Sequence, residues 1–89
     1  MISNETQFPV YRRTADGRHY YHIVASDLFM EIQLIGSKAV LHRIHAALYP
    51  ERLRVQDMVD ATDGHFIPSD SVEWAAVMER FGLLDEKHR

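Results

Sequence analysis

The chain has 89 residues, 46% of them hydrophobic and 26% charged, with a formal net charge of -3; this composition supports one hydrophobic core and excludes disordered or collagen-like chains. It contains no cysteine, which rules out disulfides, thiolate nucleophiles, iron–sulfur clusters and Cys-ligated zinc. The acidic balance argues against nucleic acid as a partner held by counterion release, because that mode needs a surplus of Lys and Arg on one face.

The opening residues, MISNETQFPV, lack the basic and apolar regions of a secretion signal. No apolar run approaches the ~20 residues that cross a bilayer. A cytoplasmic protein with no membrane partner is expected. Residues 1–7 and 85–89 read as flexible ends around a single domain spanning 8–84.

The first strand runs from about Phe8 to Thr14, and Asp16-Gly17 supplies the positive-φ residues of a tight hairpin. Pro9 places this strand at a sheet edge, since proline cannot donate to a ladder. A second strand follows from Arg18 to Ala25, Ser26-Asp27 turns into a third from Leu28 to Ile35, and Gly36-Ser37 turns into a fourth from Lys38 to Leu48. Short connections of this kind predict an antiparallel meander.

Beyond Tyr49, Pro50 suits a helix start, and Val55, Met58, Val59 and Thr62 recur at helical spacing up to Gly64, a candidate terminator. The segment from Pro50 to about Ala61 is therefore read as helix. His65-Phe66-Ile67 permits a short fifth strand. A second helix is the clearest local signal: Ser69 or Asp70 caps it, and Trp74, Val77, Met78 and Phe81 form one apolar stripe ending at Gly82, with Leu83 folding back toward Met78. The predicted architecture is α+β: a four-stranded antiparallel meander, a possible short fifth strand, and two helices of which the C-terminal one packs on the sheet with Trp74 as a core anchor.

Two-residue turns at Asp16-Gly17 and Ser26-Asp27 pair Val10 with Ile23, Ile23 with Met30, and Tyr21 with Ile32, giving a core face shared with Ala25, Leu28 and Leu34. The other face then carries Tyr11, Tyr20, His22, Val24, Phe29, Glu31, Gln33 and Ile35. For the last hairpin two registers compete. A two-residue loop sets Glu31 opposite His42 and aligns His22, Glu31 and His42 across three strands, a ligand set adequate for a divalent metal. A three-residue loop at Gly36-Ser37-Lys38 pairs Leu34 with Val40, Met30 with Ile44 and Glu31 with Arg43, and sends His42 toward the core. The second is preferred because it buries the more apolar side of the fourth strand. The metal row then dissolves, and neither a metal nor a cofactor is expected.

No nucleophile elbow, phosphate loop, His-Glu-x-x-His or Gly-x-Gly-x-x-Gly is present, so binding is favoured over catalysis. The leading expectation is a protein-interaction or homo-oligomerisation module, partnered by itself or another protein through Tyr20, Val24, Phe29 and Ile35 on the aromatic outer face. The alternative is a ligand- or metal-binding, even enzymatic, domain with a polar pocket at Tyr11, His22, Glu31 and His42. Arg12, Arg13, Arg18, Tyr20 and Tyr21 form a modest version of a base-stacking surface, without the element order of an RNA-recognition motif.

Overall fold

The computed structural model describes residues 7–61 and 64–83. The elements are β1 (Val10–Thr14), β2 (His19–Ala25), β3 (Leu28–Ile35), β4 (Lys38–His45), α1 (Tyr49–Asp60), β5 (Phe66–Pro68) and α2 (Ser71–Arg80). The strands form one antiparallel sheet in the order β4-β3-β2-β1-β5. This is the α+β meander the alternation predicts, with the short fifth strand formed.

The first hairpin closes as its turn residues require. Gly17 takes a φ of 72°, the conformation a side chain resists. Asp16 Oδ1 accepts from Thr14 Oγ1 at 2.6 Å and from the Arg18 N–H at 3.0 Å. The resulting register, Val10↔Ile23 through Arg13↔Tyr20, is the one derived from the sequence. Strand one is not an edge, however: β5 pairs along β1's other side, Arg12↔Pro68 to Thr14↔Phe66. Pro9 precedes β1, so its missing donor leaves the ladder intact.

The second hairpin departs from expectation by one residue. Ser26-Asp27 closes on Ala25↔Leu28, but a bulge at Val24 makes the next pair Ile23↔Phe29, followed by His22↔Met30, Tyr21↔Glu31 and Tyr20↔Ile32. One extra residue reverses every side chain of β3 relative to β2. Phe29 thereby joins Tyr21 and Ile23, while Met30, Ile32 and Leu34 turn to the face of Tyr11, Tyr20 and His22.

The third hairpin is a two-residue loop at Gly36-Ser37, pairing Ile35↔Lys38, Glu31↔His42 and Met30↔Arg43. The three-residue register is overturned. Its preference assumed one buried face, whereas both faces of this sheet are covered: Ile44 packs on one cluster, Ala39 and Leu41 on the other. Because β4 is an edge strand, Arg43 stays exposed and needs no partner in a core.

Each helix covers one face. α1 contributes Val55 and Met58 to a cluster with Tyr21, Ile23, Phe29 and Ala46. α2 contributes Trp74, Val77 and Met78 to a second cluster with Ile32 and Leu83, so Trp74 is the core anchor its spacing suggested. The result is a sheet between two helices, and every strand register must serve both sides.

Local chemistry sets the helix ends. Asp70 caps α2, accepting from the Glu73 N–H at 2.8 Å, and beyond the helix Gly82 at φ 70° lets the Leu83 N–H reach Met78 O at 2.8 Å. α1 starts at Leu48, whose side chain cannot accept; only Glu51 reaches back, its Oε1 3.3 Å from the Leu48 N–H. α1 ends earlier than Gly64, at Ala61 in the left-handed conformation (φ 48°). Arg12 then satisfies two of its last carbonyls, donating from Nε to Met58 O and from Nη2 to Val59 O, both at 3.0 Å.

Candidate functional site

The four outer-face residues do not form one patch. Phe29 is fully buried under α1, Tyr20 is half-buried in the α2 cluster, and Val24 and Ile35 are exposed by 37% and 56%. The Val24 bulge is the cause, since it moves Phe29 to the opposite face from Tyr20. Of the arginines on the candidate base-stacking surface, Arg12 is engaged on α1 and Arg13 with Glu73 at 3.5 Å, while Arg18 is exposed.

The polar row divides in the same way. Tyr11 and His22 lie on the α2 face, stacked with ring centroids 4.5 Å apart, and Trp74 meets His22 edge-on at 5.4 Å. Glu31 and His42 are cross-strand partners on the α1 face. His42 is exposed, with Nε2 3.3 Å from Gln33 Oε1. Among the described residues no group of three or more His, Cys, Asp or Glu side chains is placed to hold a metal.

Glu31 instead meets two groups that the sequence reading passed over. It is 7% exposed, and a carboxylate so buried requires compensation. His19 Nδ1 lies 2.7 Å from its Oε2, and Arg54 Nη2 lies 3.5 Å from its Oε1. Arg54 also donates to the Tyr21 hydroxyl at 3.4 Å and lies over the rings of Tyr21 and Phe29. Burial pushes the Tyr21 phenol above its ordinary pKa, with the Arg54 hydrogen bond opposing. His19 reaches Glu31 only because the bulge sets Tyr21 opposite Glu31, leaving His19 two positions along the same face. His19 and Arg54 thus give the buried Glu31 carboxyl two polar partners.

Among the described residues, two further features are open to a partner. One is the edge of β4, the eight-residue strand at the end of the sheet. The Ile35↔Lys38 pair beside a two-residue loop is a mutually hydrogen-bonded pair, so even-numbered residues bond to β3. The N–H groups of Ala39, Leu41, Arg43 and His45 therefore point outward. β4 carries Lys38, His42, Arg43 and His45, all exposed, and no acidic residue.

The other is a groove of about 500 Å³ between α2 and the sheet, lined by Tyr11, His22, Met30, Leu41, Arg43 and Trp74 among others. The helix rests chiefly over β2, leaving Met30 and Leu41 incompletely covered. Neither feature was foreseen as a site: the edge follows from the strand order of the whole sheet, and the groove from where α2 comes to rest.

Comparison with protein families, with curated proteins and with solved structures finds no match to this chain. No described helix is long and apolar enough to cross a membrane.

Proposed function

We propose that this protein is an interaction module that receives an extended, acidic segment of a partner protein as a further strand along β4. The observation that carries the reading is a long edge strand with four outward N–H groups and only basic charge. Added strands gain affinity from main-chain hydrogen bonds, and side-chain pockets give them specificity. Charge complementarity selects the partner: two copies joined through β4 would set a basic edge against a basic edge, whereas an acidic strand would meet Lys38 and Arg43 favourably.

The test is an amide NMR titration at low salt with a synthetic peptide alternating glutamate and valine. Shifts should map to β4, the amides of Ala39, Leu41, Arg43 and His45 should gain exchange protection, and Lys38→Glu with Arg43→Glu should weaken binding by about tenfold or more. No β4 response at millimolar peptide, or a response centred elsewhere, would overturn the reading. A salt-insensitive dimer in light scattering would replace it with self-association.

A further inference from the structure

The groove under α2 has the size of a small-molecule site: about 500 Å³, within the ~300–1,000 Å³ of ligand pockets. Its walls are largely apolar. Met30 and Leu41 supply the sheet side, Trp74 and Met78 the helix side, and Leu83 also lines it, brought beside the helix when the chain turns back after Gly82. The Tyr11–His22 stack, with Trp74 edge-on to it, adds a flat aromatic surface.

Among the described residues, one fixed charge lies on this lining. The register Met30↔Arg43 turns the Arg43 side chain toward the α2 face. Arg43 is exposed and makes no ion pair or side-chain hydrogen bond among the described residues. The acids at the start of α2 are already engaged: Asp70 accepts from the Glu73 N–H, and Glu73 pairs with Arg13. A largely apolar cavity whose described lining carries one guanidinium without an ion pair selects a hydrocarbon bearing one carboxylate, which guanidinium can bind in bidentate fashion.

We propose that this groove is a binding site for an apolar monocarboxylate, with its hydrocarbon against Trp74, Met30, Leu41 and Met78 and its carboxylate on Arg43. The site shares Arg43 with the β4 edge but uses side chains of the α2 face rather than strand pairing, so decanoate binding at Trp74 and peptide-induced protection of the β4 amides test the two readings separately.

Trp74 is the chain's one tryptophan and lines the groove, so its fluorescence reports occupancy directly. Titration with hexanoate, octanoate and decanoate should give saturable changes, tightening about fourfold for each added methylene while it remains buried. Arg43→Gln, at an exposed position on an edge strand, should weaken decanoate on the order of tenfold and leave decanol binding unchanged. Methyl NMR of Met30 and Met78 supplies a second readout. The proposal is overturned if decanoate produces no saturable change in either signal, or if Arg43→Gln binds decanoate as tightly as the unaltered protein.

Discussion

At Glu31 the protein keeps a carboxylate at 7% exposure by facing it with His19 and Arg54. Asp16, at the surface, is held by donors within its own turn. Its carboxyl is held below the usual range first by the Thr14 hydroxyl and then by the Arg18 N–H. The sign follows from linkage: a depressed folded-state pKa contributes stability above the unfolded value near ~3.9, and that contribution is lost as pH falls through the folded value. Denaturation midpoints of the unaltered protein should therefore drop between about pH 5 and pH 2 by a component that Asp16→Asn lacks. Equal pH dependence in the two proteins would show that the turn hydrogen bonds do not select the ionised form.

At the scale of elements, the two helices differ in how much their own ends supply. α2 has a side-chain cap, a glycine turn and a buried stripe of Trp74, Val77 and Met78, all visible as local signals. α1 has neither a capping oxygen at Leu48 nor a basic residue in its last turn; it is held by Val55 and Met58 in the core and by Arg12 on its final carbonyls. Replacing Leu48, which is largely exposed, with serine would complete the reciprocal cap with Glu51. Leu48→Ser should raise unfolding stability by about 0.5–1 kcal/mol in urea denaturation. No gain would mean that tertiary contacts already define the start of α1.

For the whole molecule, the consequential event is the bulge at Val24, because it decides which face of β3 meets which helix. It puts Phe29 in the α1 cluster, fully buried, whereas Ile35, on the same face of β3 but at the hairpin end of the strand, is 56% exposed. Phe29→Ala should cost about 3–5 kcal/mol, enough to threaten folding in a domain of this size, while Ile35→Ala should stay within ~0.5 kcal/mol. Comparable losses, read from urea midpoints, would contradict the observed register. The same event scatters the aromatic patch and the metal row, so the open β4 edge and the groove under α2 become the surfaces on which binding is proposed.

By itself the sequence determined the strands, the tight turn at Asp16-Gly17, the first-hairpin register and the α2 stripe with its cap, because each is written in residues close together. It also held the apolar and polar residues of both sites without showing their grouping. A strand with one buried face declares its register through alternation, but β2 and β3 are apolar on both sides, and a slip of one residue leaves such a pattern almost unchanged. Only tertiary structure, by laying a helix on each face, made Ile23↔Phe29 and Glu31↔His42 the better pairings. His19 and Arg54 were thereby brought to Glu31, and Arg43 was turned toward the groove beside Trp74.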